Sequence, residues 1–270
     1  MPRYFYKYKS LDKKCDEDEK CAECKGDKKC NKYYTIKILK DQKIYFPKFG
    51  ELNDPHDGKI YFDRNITKKE FIKFYNGLKT IGPIQCDLKS FFNAKGRLIR
   101  DRVDNFYDNN MEHTSTMIPG LGVLCLSETC TNPLMWAHYS NNSGICIEFD
   151  GLDSLLQDEE INWEIKYSKQ YPIIKITDYL PENLSVVKKS YGTKYLDWKY
   201  EREWRLINEE GGKEWELPAK ISSIIFGLKT TNEDIEEIGN MALNTQIKLR
   251  RLVLSRTKYE YEIEDYKSVK

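Results

Sequence analysis

Two carboxylates stand one residue apart in Trp198-Lys199-Tyr200-Glu201-Arg202-Glu203-Trp204-Arg205-Leu206-Ile207. On a β-strand, side chains at i and i+2 share a face, so Glu201 and Glu203 would repel each other without cationic partners. Arg205 rejoins that face, where it is placed to depress their pKa values or to anchor a phosphate. Arg202 and Trp204 alternate onto the other face with Tyr200. The plainer reading is an edge strand whose mixed charge discourages self-association.

A second group surrounds Leu126-Ser127-Glu128-Thr129, at the end of an apolar run. Ser127 and Thr129 fall on one face and offer two hydroxyls to a ribose or an amide, although such pairs at strand ends commonly serve as turn or cap donors. The helix that follows carries Trp136, His138 and Tyr139, side chains suited to stacking and hydrogen bonding. The competing reading there is core packing for Trp136 and a satisfied imidazole for His138. At 100° per residue, Leu134 shares a face with His138 and Met135 with Tyr139, so burial of the two apolar residues is expected to carry His138 and Tyr139 inward. Trp136 is then left to packing or the rim.

Four thiols are spaced Cys15-x5-Cys21-x2-Cys24-x5-Cys30, and the central pair has the bite that structural zinc prefers. Six acids and seven lysines between Lys13 and Lys32 leave almost nothing apolar to order this segment. A tetrathiolate zinc site would order it, and a solvated loop with reduced thiols is the alternative. No paired-histidine metal motif, P-loop, Gly-x-Gly-x-x-Gly or Gly-x-Ser-x-Gly elbow occurs, which weighs against the commonest metalloprotease, kinase, Rossmann and hydrolase designs.

These groups need a scaffold, and 270 residues can bury a sizeable core without disulfide staples. Hydrophobic residues make up 40% and aromatics 13%, with 19 Tyr, which argues against wholesale disorder. The net charge of +1 gives no global sign of a nucleic-acid groove. No run reaches the length of a membrane helix, and Met1-Pro2-Arg3-Tyr4 lacks a signal-peptide pattern, so a cytoplasmic protein with reduced thiols is expected.

Tyr4 to Lys9 reads as a strand, followed by the Cys-bearing segment and a second aromatic and β-branched run, Tyr33 to Ile38. Lys43 to Pro47 is a short strand entering a turn-rich loop, Lys48 to Gly58, that is suited to presenting Asn53 and Asp54. Thr67 as N-cap, with Glu70 three residues on, starts a helix to about Asn76, and a further helical zone covers Asp87 to Asn110. Strands are expected at 122–127, 143–149, 161–167, 203–207, 221–226, 249–254 and 259–263. Helices are expected at 134–139, capped by Thr131 or Asn132 with Pro133 at the first helical position, and at 232–243. The fold class is α+β, and residues 1–270 read as one domain with a Cys-rich insertion at 13–32.

Tyr6-Lys7-Tyr8-Lys9-Ser10, Leu52-Asn53-Asp54-Pro55, Cys125-Leu126-Ser127-Glu128, Met135-Trp136-Ala137-His138-Tyr139, Gly144 to Phe149 and Trp198 to Arg205 together resemble domain-of-unknown-function family 2971. That family name supplies no activity. The order of basic strand, Ser-x-Thr strand end, short helix, apolar strand and Glu-x-Glu strand is also similar to ADP-ribosyltransferases of the arginine-serine-glutamate type. This second resemblance implies split antiparallel sheets with flanking helices, NAD as substrate, and transfer of ADP-ribose to a protein or nucleic-acid acceptor. It also implies a toxin or phage-defence effector, with a neutralising partner protein as a further partner and no membrane.

Carried over, Glu203 would hydrogen-bond the ribose and stabilise the oxocarbenium-like charge, and Glu201 would orient or deprotonate the acceptor. Ser127 and Thr129 would brace the site, and Lys9 or Lys7 would stand where those enzymes have Arg. Lysine is a point charge and lacks the bidentate fork. Asn53, Asp54, Trp136, His138, Tyr139 and Arg205 complete the expected binding set. Two other classes remain open on the residues: a nucleotide-binding sensor without turnover, and a nuclease using Glu201, Glu203 and Asp54 around a divalent ion.

Overall fold

The computed structural model describes residues 4–12, 31–81, 84, 86–106, 108, 120–152, 162–175, 178, 185–243 and 245–266. Cys15, Cys21, Cys24 and Cys30 lie outside the described residues. In chain order the strands are β1 (Phe5–Lys9), β2 (Lys43–Phe46), β3 (Tyr61–Asp63), β4 (Gly122–Ser127), β5 (Ile145–Asp150), β6 (Asn162–Glu164) and β7 (Lys166–Ser168). They continue as β8 (Ile173–Lys175), β9 (Thr193–Tyr195), β10 (Glu203–Asn208), β11 (Lys213–Glu216), β12 (Lys220–Phe226), β13 (Lys248–Leu254) and β14 (Tyr261–Asp265).

The class is α+β. Eight strands form one sheet in the order β14-β13-β12-β5-β1-β4-β10-β6, with β2–β11, β3–β8 and β7–β9 as separate two-stranded ribbons. Where two split antiparallel sheets are expected, the main sheet is continuous and mixed. The mixing arises because β12 and β13 run parallel, and the helix Asn232–Ala242 lies between them in the chain.

Apolar runs such as Gly122–Ser127 and Ile145–Asp150 are buried on both sides because both sheet faces are covered. One face gathers Phe5, Leu124, Leu126, Ile147, Phe149 and Trp204 under Ile38 and Ile238 from helices. The other gathers Tyr8, Cys146, Ile225 and Leu252 against Met135 and Trp136. A separate aromatic core, with Phe71, Phe74, Tyr75, Phe91 and Phe106, belongs to the middle third.

The run from Tyr33 to Ile38 is helical, within Asn31–Asp41, so the helix begins inside the expected insertion boundary. Its buried Lys32 binds Asp234 and Glu237, each at 2.6 Å. The zone Asp87 to Asn110 is not one helix. A 3-10 turn at Leu88–Phe91 gives way to a bridge between Phe92 and Leu98, and α-helix resumes at 100–106. Asn93 and Gly96, with φ +68°, form the intervening turn. Thr67 and Glu70 do form a capping box, and their helix runs on to Ile81. No helix among the described residues is long and apolar enough to cross a membrane.

One irregularity positions the site. β1 matches β5 at five positions from Phe5↔Phe149 to Lys9↔Ile145, and β4 matches β10 at six, but β1 meets β4 only at Tyr6↔Ser127. The sheet opens beyond that pair.

Candidate functional site

The opening between β1 and β4 is a cavity of about 120 Å³. Lys7 spans it, its ammonium donating to the Cys125 carbonyl at 2.9 Å. Tyr139, Asn53, Lys194, Glu201, Glu203 and Arg205 line it with Lys7 and Ser127.

Glu201 and Glu203 meet, although by a different route from the pleat of one strand. Glu201 ends the 3-10 turn Leu196–Glu201, and Arg202 takes a left-handed conformation at φ 47° before β10 begins at Glu203. That reversal swings Arg202 outward to Glu128 and returns both carboxylates to Lys194. The Lys194 ammonium lies 2.6 Å from Glu201 Oε2 and 3.0 Å from Glu203 Oε2. The Tyr139 hydroxyl donates to Glu201 Oε1 at 2.6 Å, and the Ser127 hydroxyl donates to the Glu201 carbonyl at 2.6 Å. Arg205 donates through Nε to Glu203 Oε1 at 2.7 Å and through a terminal nitrogen to both Asp57 oxygens at 2.9 Å. The result is a buried chain of alternating charge, Asp57, Arg205, Glu203, Lys194, Glu201.

These neighbours set opposite tendencies on the two carboxylates. Burial would raise Glu203, but Arg205 and Lys194 outweigh it and hold its pKa down to about 2. Burial raises Glu201, with Glu203 adding to the rise and Lys194 opposing it. Burial pushes the Cys125 thiol up to about 12, with Glu203 contributing, so it stays protonated. Glu203 is an anion fixed between cations, and Glu201 is the more basic of the pair.

The remaining expected residues divide. Asn53 lines the cavity together with Tyr139. Asp54 is buried and caps the backbone N–H of His56 at 2.8 Å, and Asp57 reaches the network instead. Thr129 contributes its carbonyl, which accepts from the Tyr8 hydroxyl, rather than a ligand-facing hydroxyl. Lys9 does not line the cavity. It is half-buried, and burial with Lys7 nearby pulls its ammonium down to about 7.

Trp136 is fully buried, its indole N–H donating to the Cys130 carbonyl at 2.7 Å, so it belongs to the core. The helix Pro133–Ser140 is capped by Asn132 and turns Met135 and Tyr139 inward. Leu134 is 50% exposed, which leaves its face-mate His138 outside against Trp198 and Tyr200. The expectation that both pairs turn inward is therefore half right. Only one of the two adjacent faces can meet the sheet, and Trp136 fixes which.

Asp54 does not join Glu201 and Glu203 around a cation, because its carboxylate caps a turn and does not line the cavity. Among the described residues, no group of three His, Cys, Asp or Glu side chains could hold a metal ion. Glu203 is also not surface-facing, as a strand-edge reading would have it, being 4% exposed.

Residues 135–206 match the model of the family described as Protein of unknown function (DUF2971), the family the sequence motifs resemble. The matched segment contains Tyr139, Lys194, Glu201, Glu203 and Arg205, most of the charged wall of the cavity. No curated protein and no solved structure matches the chain.

Proposed function

We propose that the cavity is the glycosyl-transfer site of an NAD-consuming, ADP-ribosyltransferase-like enzyme. The observation that carries this reading is that β1, β4 and β10 are neighbours in the sheet and bring Lys7, Ser127 and Glu203 around one opening. The sequence resemblance requires those three strands to act together.

At about 120 Å³ the cavity is well below the roughly 300–1,000 Å³ of sites that enclose a whole ligand of drug size. It suits one ring, such as nicotinamide and the adjoining ribose edge, with the rest of the dinucleotide leaving through the mouth. In the step itself the bond between ribose C1′ and the pyridinium nitrogen breaks, and its electron pair leaves with neutral nicotinamide. Glu203, held ionised, stabilises the positive charge that develops at C1′. An acceptor O–H or N–H then bonds C1′ and gives its proton to Glu201, whose raised pKa suits it as base. Tyr139 and Lys194 orient Glu201, and Lys7 is placed to hold a phosphate or ribose oxygen as a single point charge. Cys15, Cys21, Cys24 and Cys30, outside the described residues, would hold a structural zinc as a tetrathiolate.

Incubating the purified full chain with NAD and measuring free nicotinamide tests the reading. Release above the uncatalysed rate supports it. Protection of the protein by NAD without release would assign the cavity to a binding module.

A further inference from the structure

A second, larger hollow of about 640 Å³ shares a wall with the first through Lys194. It lies between the ribbons β3–β8 and β7–β9, whose registers pair Tyr61 with Ile173 and Ser168 with Tyr195. Among the described residues, four of the ten exposed large apolar side chains line it: Tyr61, Tyr171, Ile173 and Tyr195. Its other basic side chains are the ammonium groups of Lys59 and Lys169, and no Asp or Glu lines it. Tyr171 is held in place by His56, whose Nδ1 lies 2.7 Å from the tyrosine hydroxyl with the rings stacked. Neither Lys59 nor Lys169 has an acidic partner among the described residues.

Exposed apolar rings left in a soluble domain need a reason when they cluster, and free ammonium groups beside them narrow the occupant. Aromatic faces stack on bases and lysines neutralise phosphates, the combination by which single strands are held. A duplex keeps its bases stacked inside and would leave the tyrosines unused. One adenylate would employ one or two rings and one cation, fewer than the groove presents. An acidic peptide would satisfy the lysines but not three tyrosines.

We propose that this groove binds a single-stranded nucleic acid. Its role as the acceptor, delivered past Lys194 to Glu201, rests on the transferase reading, but its binding does not.

The test uses the full chain and a fluorescein-labelled single strand of about twelve mixed nucleotides, within the usual site sizes of about 4–16, read by anisotropy without NAD. The expected result is binding whose affinity falls about tenfold in Tyr171→Ala and in Tyr61→Ala, by loss of stacking. Two phosphate contacts give a slope of log affinity on log salt of about −1.4, which Lys59→Ala with Lys169→Ala should bring near zero. All these side chains are exposed, and unchanged thermal midpoints would show that the fold is retained.

Equal affinity for duplex, displacement by adenosine monophosphate or by polyglutamate, or no binding at low salt would each overturn the proposal. Nicotinamide release is measured separately. A strand-binding chain that releases none would refute the transferase reading and leave the groove standing, and release without strand binding would do the reverse.

Discussion

Replacing Lys194 by Met removes the one cation shared by Glu201 and Glu203. Lys194 and both glutamates are 3–6% exposed, so water cannot take over. Removing one partner of a buried pair costs about 3–5 kcal/mol, because a charge is left without compensation. Glu203 keeps Arg205, whereas Glu201 keeps only the Tyr139 hydroxyl. Glu201 then escapes the penalty by taking a proton, and its folded pKa, already raised, rises further.

The folded state binds more protons than the unfolded one, so stability of the variant falls as pH rises through the folded pKa. Urea denaturation should show a loss of about 3 kcal/mol at neutral pH, and a smaller one near pH 5. Adding Glu201→Gln should recover most of the neutral-pH loss. A loss that is the same at both pH values and is not repaired by Glu201→Gln would show that Lys194 does not compensate the Glu201 charge.

Glu203→Gln should destabilise the protein by about 2 kcal/mol at neutral pH, since a buried charged acceptor of two cations is lost. The parent pKa of about 2 lies below the unfolded value of about 4.3, so the contribution of Glu203 is present above pH of about 4 and fades as pH falls toward 2. Acid titration of stability should therefore be flatter in the variant over that window. Trp136→Ala should cost about 4 kcal/mol, as a buried indole leaves a cavity. His138→Ala should stay within about 0.5 kcal/mol and leave turnover unchanged, because the ring lies outside the cavity. Protein purified without chelator should carry about one zinc per chain if Cys15, Cys21, Cys24 and Cys30 form a tetrathiolate. Elemental analysis finding less than about a tenth of that would end the idea.

Much of the scaffold can be read from local pattern. β4, β5, β10 and β12 announce themselves as short β-rich runs, and Thr67, Asn132 and Thr231 cap helices as their side-chain chemistry dictates. Asn31–Asp41 is missed because Tyr, Thr and Ile favour strands, whereas burial of Ile38 and the Lys32 ion pairs decide for helix.

At the site, Glu201, Glu203, Arg205 and Tyr139 are legible from spacing. Lys194 is not, because it is one basic residue among 44, on a three-residue strand, and only the tertiary fold turns it inward. Asp57 is missed for Asp54 since both lie in one turn-rich loop. Gly58, at φ +74° and too close to the Tyr191 ring for a side chain, is the one local sign that the chain there is drawn tightly inward. Glu128 accepts from the Trp204 indole N–H on β10 and from Arg202 just before that strand.

Nicotinamide release from NAD by the parent chain and by Glu203→Gln, at temperatures where both are fully folded, decides whether the cavity is a glycosyl-transfer site. Release by the parent is expected, with a fall on the order of a hundredfold in the variant through loss of transition-state charge stabilisation. No release by the parent, or equal release by both proteins, would contradict that assignment.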